Sequence, residues 1–243
     1  MKTSVIENRL VVISDLHIGN PYFRRKAALL DFLNDACARG YSLCINGDGL
    51  DIVQTSFYQL SRQVPELIKT LRGFAQSGQK IYYVIGNHDL ALEEFLEDWG
   101  AIQVVPFLNV ASGTQRFHIQ HGHIYDAYFL RSPGFYEWSM RLAGWMLKIF
   151  PDIYRVSTYY SHLMDLLIPS RPARDSLLSP FALAAQDISL RGFDAVVFGH
   201  THWPGVLNVT DDAVYINTGS WLSDPHFLKI DNGAYEPNPW PLV

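Results

Sequence analysis

Five short segments of this chain place carboxylates, imidazoles and one amide oxygen directly behind apolar runs. They are Asp15-Leu16-His17, Gly47-Asp48-Gly49-Leu50-Asp51, Gly86-Asn87-His88-Asp89, His121-Gly122-His123 and Gly199-His200-Thr201-His202. Side chains of these types suit hard or borderline divalent cations, and the lack of cysteine among them argues against a structural zinc site. Where an X-x-X pair runs off a strand, the period-two backbone turns both side chains to one face, as for Asp15 with His17 and His200 with His202. Gly47, Gly86, Gly122 and Gly199 let the backbone turn tightly where such groups crowd together. Each motif alone has an ordinary explanation as a helix cap, a turn or an exposed loop. Five of them, each following an apolar run, point to one shared site.

The elements that must position them alternate along the chain. Strand-like runs cover Leu10 to Ser14, Ser42 to Asn46 and Ile81 to Ile85. Helical patterns follow them, from about Phe23 to Ala38, Phe57 to Gln76 and Ala91 to Trp99. Ile102 to Gln120 reads as a hairpin around Ser112-Gly113, with further strands at Ala195 to Phe198 and Val214 to Asn217. Alternation of this kind predicts an α/β sheet, whose strand carboxyl ends line the ligand crevice.

The 243 residues suffice for one core, and a single domain spanning 1–243 is expected. A net charge of −5 supplies no basic footprint, so a nucleic-acid partner is not expected. Two cysteines, Cys37 and Cys44, are too few for a disulfide framework and fit a reducing compartment. The start, MKTSVIENRLVVISDLH, lacks the pattern of a signal peptide, and no apolar run reaches the roughly 18 residues of a membrane span. A cytoplasmic location follows as an expectation, either in solution or peripheral on a membrane.

The segment from about 127 to 180 differs from the rest. It holds ten of the 33 aromatic residues and is +2 against −7 for the remainder, which marks it as a locally basic, aromatic insertion. Ser132-Pro133 reads as the start of a helix over Phe135 to Phe150, and a second helical pattern runs from Asp152 to Ile168. A helical lid beside the five loops is expected. Trp138, Trp145, Tyr159 and Tyr160 suit a membrane interface, although they equally suit packing of the lid onto the core.

The motif order Asp-x-His, Gly-Asp-x-x-Asp, Gly-Asn-His-Asp, His, Gly-His-Thr-His, spread over residues 10 to 220, resembles the calcineurin-like metallophosphoesterase superfamily. The resemblance implies a sandwich of two β-sheets flanked by helices (α/β/β/α) and a binuclear hydrolase of phosphoester or pyrophosphate bonds. By position, Asp15, His17 and His202 would hold one metal and Asn87, His121 and His200 the other, with Asp48 bridging. His88 would face the substrate as the catalytic histidine, while Asp51 and Asp89 would orient the ligands. Manganese is the expected metal, with iron or zinc compatible. His118, His162 and His226 read as packing or surface residues, and His123 stays open.

Chain length, the insertion between His121 and Gly199 and the closing Gly-His-Thr-His are similar to the UDP-2,3-diacylglucosamine hydrolases of lipid A synthesis. That branch splits a pyrophosphate to UMP and an acylated sugar phosphate at the cytoplasmic face of the inner membrane, using manganese. Its members carry arginine after the motif asparagine, where this chain has His88. Arg131, Lys148, Arg155, Arg171 and Arg174 are candidates for phosphate or headgroup contact. The alternatives are a soluble phosphodiesterase or phosphatase on nucleotides or small phosphoesters, and a non-catalytic scaffold. The scaffold is the weakest, since no expected ligand is missing.

Overall fold

Residues of the strand β2 (Arg9–Ile13) alternate between two different cores. Leu10 and Val12 face one apolar cluster, Val11 and Ile13 another, and all four are buried. A strand covered on both faces must be apolar throughout, which is why these strands read as continuous hydrophobic runs. The computed structural model describes residues 3–52, 55, 57–95, 102–126, 134, 138–139, 142, 145–146, 149–150, 176–222 and 224–241.

The remaining elements are β1 (Ser4–Ile6), α1 (Lys26–Ala38), β3 (Ser42–Asn46), α2 (Phe57–Gln76), β4 (Ile81–Val84), β5 (Ile102–Val105), β6 (Leu108–Ser112) and β7 (Gln115–Ile119). Then come α3 (Pro180–Ser189), β8 (Ala195–Phe198), β9 (Gly205–Asn208), β10 (Val214–Asn217), β11 (His226–Asp231) and β12 (Ala234–Pro239). One six-stranded sheet has the order β12-β11-β2-β3-β4-β5, the other β1-β6-β7-β8-β10-β9. Leu10, Val12, Cys44, Val84, Phe117, Ile119, Val197 and Ile216 interdigitate between the sheets. On the outer face of the first sheet, Phe32, Leu33, Phe74 and Trp221 form the core under α1 and α2. On the second, Ala182, Ala185 and Ile188 of α3 cover Val196, Phe198 and Tyr215. The result is the expected sandwich of two sheets flanked by helices.

Some element boundaries differ from expectation for local reasons. Helix α1 begins at Lys26 rather than Phe23 because Asn20 first builds a turn, its Oδ1 accepting from the Tyr22 N–H at 2.9 Å and its carbonyl from Phe23 N–H at 3.0 Å. The helix expected at Ala91 to Trp99 is a 3-10 helix over Leu90–Phe95 as far as it is described. Within the insertion, residues 134, 138, 139, 142, 145, 146 and 149 are helical, inside or beside the first helix expected there. The second expected helix, 152–168, lies outside the described residues.

Candidate metal centre

The five polar loops leave the carboxyl ends of β2, β3, β4, β7 and β8, three from one sheet and two from the other. Strands β2, β3 and β4 are mutually parallel, as are β7 and β8, so the loops emerge on one rim. Backbone hydrogen bonds then zip the first two loops together: Asp15 N–H to Gly47 O at 3.1 Å, His17 N–H to Asp48 O at 2.9 Å and Ile18 N–H to Gly49 O at 3.0 Å. The sheets are joined at the same level, where Asn46 Nδ2 donates to Gln120 O at 3.1 Å and His121 Nδ1 donates to Asn46 O at 2.8 Å.

Among the described residues, six that are not glycine have positive φ, and five of them are Asp15 (53°), His17 (48°), Asp48 (51°), His200 (65°) and His202 (63°). Side chains with a Cβ rarely adopt this region, and such strain persists where the surrounding structure over-determines it. This corrects the expectation that Asp15 and His17, or His200 and His202, face one way through the strand pleat. Each pair converges because both members sit in left-handed kinks, not in extended backbone.

The converging atoms are spaced like ligands of a common ion. His17 Nε2 lies 3.2 Å from His202 Nε2, and Asp15 Oδ1 lies 3.1 Å from His202 Nε2 and 3.9 Å from His17 Nε2. Asp48 Oδ2 lies 3.3 Å from His121 Nε2 and 3.8 Å from His17 Nε2, and Asn87 Oδ1 lies 3.2 Å from His121 Nε2. Bonds of about 2.1 Å to one cation would put adjacent ligand atoms roughly 3.0–3.4 Å apart and opposed ones about 4.2 Å apart. Asp15, His17 and His202 form one such group and Asp48, His121 and His200 a second. Asp48 Oδ2 is close to imidazoles of both, the position a bridging carboxylate needs. A third grouping, His17, Asp48 and His88, borrows a member from each of these two. The donor set therefore fits a pair of divalent metal ions.

The electrostatics follow from packing opposite charges in a buried space. Burial alone would raise the Asp48 pKa, but the imidazoles of His121 and His88 hold it well below the ordinary carboxylate range. Asp15 is likewise brought down to about 2, burial being outweighed by His202 and His121. Burial would lower His121, yet Asp48 and Asp15 push it up to about 10. Asp89 rises to about 6 through burial and the nearby charge of Asp48. A cation replacing protons in this mesh would find its carboxylates already ionised.

Around the ligands, Asp51 Oδ1 lies 3.1 Å from His88 Nδ1, and Oδ2 accepts from Asn20 Nδ2 at 2.8 Å. Its distance to His17 Nδ1, 3.7 Å, is too long for a hydrogen bond. Asp89 touches no ligand atom but ties the second and third loops together, accepting from Gly86 N–H at 2.6 Å, Gly49 N–H at 3.0 Å and Tyr83 Oη at 2.5 Å. His123 is buried beside His121 and His200, with ring centroids 5.5 and 6.4 Å away. Burial, then the charges of His121 and His200, push it down to about 3.

Sequence reasoning missed Tyr83, Asn20 and Asp126, the last 2.9 Å from His200 Nε2. None belongs to a motif; Tyr83 is hidden inside a strand run and Asp126 stands beyond His121 with no pattern around it. His118 is a packing residue between Phe107 and Phe193, and half-buried His226 bonds Asp224 O at 2.7 Å. Arg131, Lys148, Arg155, His162, Arg171 and Arg174 lie outside the described residues.

This fold and site define a binuclear metallophosphoesterase, a metal-dependent hydrolase of phosphoester bonds. The chain belongs to the calcineurin-like phosphoesterase family, whose family model matches residues 8–204. Among solved structures it is similar to a predicted phosphoesterase from Streptococcus pneumoniae, at 14% identity over 96% of this chain and 88% of that one, TM-score 0.43. A dimetal phosphatase from Danio rerio is similar at 13% identity over 95% of each chain, TM-score 0.48. Vps29 from Entamoeba histolytica complexed with Zn2+ is similar at 14% identity over 95% and 97%, TM-score 0.42. No curated protein matches the chain.

Proposed function

We propose that the chain cleaves the pyrophosphate of a lipid-linked nucleotide of the UDP-2,3-diacylglucosamine type, releasing UMP and an acylated sugar 1-phosphate, with manganese in both sites. The observation that carries this reading is the apolar face of the insertion. Trp138, Leu142, Trp145, Met146 and Ile149 recur at helical spacing and are all exposed, Trp138 and Trp145 at 59% and 60%. Acyl chains or a bilayer surface match such a stripe. The insertion follows Asp126 in the chain, and Asp126 Oδ2 lies 2.9 Å from His200 Nε2 in the metal centre. Among the described residues no helix is long and apolar enough to cross a membrane, and the reading is of peripheral contact at a cytoplasmic membrane face through this stripe.

Two bound cations would neutralise phosphate oxygens and lower the pKa of the attacking water. The protein side chains orient them and handle the proton. His88 Nδ1 is engaged by Asp51, which leaves Nε2 facing the centre, 4.0 Å from Asp48 Oδ2. Burial would lower its pKa, but Asp48 and Asp51 raise it to about 9. With Nδ1 on Asp51 and Nε2 toward the centre, His88 is placed to donate a proton to the leaving oxygen. Where the UDP-2,3-diacylglucosamine hydrolases carry arginine, this chain has His88, whose imidazole can hand over a proton as a guanidinium does not.

The experiment compares UDP-2,3-diacylglucosamine in mixed micelles with bis-p-nitrophenyl phosphate, in Mn2+, with products identified by mass spectrometry. Formation of UMP and the lipid phosphate at a higher kcat/KM than the diester is the expected result. Equal or better turnover of small diesters, with no UMP formed, would replace the lipid reading by a soluble phosphodiesterase.

A further inference from the structure

We propose that Asp126 is a positioning residue of the metal centre, its carboxylate holding the Nε2–H of His200 and so committing Nδ1 as the nitrogen that faces the metal. The inference rests on the binuclear reading and adds a residue outside every motif. His200 Nε2 lies 2.9 Å from Asp126 Oδ2, a length within the hydrogen-bonding range of a charged acceptor. An imidazole whose Nε2 gives its proton to a carboxylate has its free lone pair on Nδ1.

The same device appears twice more in this site. His121 Nδ1 donates to Asn46 O at 2.8 Å, leaving Nε2 toward Asp48, and His88 Nδ1 is held by Asp51 at 3.1 Å. In each case one ring nitrogen is spent on an orienting oxygen and the other is turned inward. His200 spends the opposite nitrogen, and its backbone N–H is held on Asp15 Oδ2 at 3.1 Å. Partners of this kind fix ring orientation and raise the basicity of the ligand.

Asp126 is also built to hold still. It closes a short 3-10 turn, His123–Tyr125, with its N–H on His123 O at 3.1 Å and Tyr125 N–H on Gly122 O at 3.0 Å. Tyr125 stacks on Phe198 of β8 with centroids 5.4 Å apart, so the turn is anchored to the strand that delivers His200. The His200 ring packs edge-on to His121 at 5.3 Å. A carboxylate on a packed turn, aimed at one edge of a packed ring, is a clamp for that ring.

The test uses the whole chain, stripped of metal and titrated with Mn2+, with bound ion followed by electron paramagnetic resonance. Wild type is expected to take two ions. Asp126→Ala should keep the site at Asp15, His17 and His202 but bind the second ion about 10–100-fold more weakly, the usual cost of losing a ligand's orienting partner. Asp126→Asn, whose amide oxygen accepts the same hydrogen bond, should restore most of that affinity. Unchanged second-site affinity in Asp126→Ala overturns the inference, as does Asp126→Asn being as weak as alanine, which would make the carboxylate itself a ligand. Should the alanine variant not fold, 15N-histidine spectra of the Zn2+-loaded wild type decide, with coordination through His200 Nε2 overturning the inference. Wild type taking fewer than two ions removes the binuclear reading first and this inference with it.

Discussion

His88 and Asp51, 37 positions apart in the chain, meet at 3.1 Å between Nδ1 and Oδ1, deep in the rim formed by the strand ends. The contact separates two kinds of defect. Asp51 orients the proton donor, whereas Asp48 supplies the oxygen that lies between the two ligand groups.

The first prediction concerns that separation. His88→Ala is expected to lower kcat by about 10²–10⁴-fold while leaving metal content intact, since proton transfer is lost and no ligand is. Asp48→Asn should lose far more and lose metal with it. The His88→Ala defect should also be smaller for p-nitrophenyl diesters than for alkyl esters, because an activated leaving group needs no proton. Metal analysis beside turnover of both ester types checks this. Full metal and near-normal turnover in Asp48→Asn would count against the bridging assignment.

A second prediction uses a residue that binds nothing. A methyl group on Gly86 would collide with the carboxylate and backbone of Asp48, and Asp48 cannot step aside because its Oδ1 accepts the His88 N–H at 2.8 Å. Gly86→Ala is therefore expected to lose metal as Asp48→Asn does, with secondary structure retained by circular dichroism. Normal metal content in that variant would show that the third loop has more room than its packing implies.

Much of the scaffold was legible because strands covered on both faces advertise themselves. Ser42–Asn46, Ala195–Phe198 and Val214–Asn217 could be bounded by their apolar runs alone. Strand β12 hid behind Pro237 and Pro239, which a central strand would not tolerate but an edge strand does. Its hairpin with β11 did carry a signal, Asn232-Gly233, both with positive φ as a two-residue turn of this kind requires. The ligand loops were visible because metal chemistry restricts residue types. Asp126 and Tyr83 were not, because any oxygen in the right place can orient a ring or brace a loop, and placement is a tertiary property. Left-handed kinks at Asp15, His17, His200 and His202 were equally hidden, since nothing in the identity of aspartate or histidine demands them.

The last prediction concerns His118, which is remote from the metal ligands in contact though close in sequence. Its Nδ1 lies 2.7 Å from Asn109 Oδ1, and its ring lies between Phe107 and Phe193 at 5.4 and 5.3 Å. Burial lowers its pKa from the ordinary 6.5; Gln120 opposes this and the charge of Arg191 adds to it. The folded pKa lies below the unfolded one, so the unfolded chain takes up the proton first as pH falls. The contribution of neutral His118 is thus fully present above about pH 6.5 and is lost as pH drops toward the folded pKa, at a limiting slope of about 1.4 kcal/mol per pH unit. His118→Gln keeps a side-chain donor and removes the titration. Urea unfolding of both proteins without metal, at pH near 7.5 and near 5.5, isolates this group because every other titration cancels in the difference. Wild type should lose stability relative to His118→Gln on acidification, and a difference that does not change with pH would show that the imidazole is free to charge where it sits.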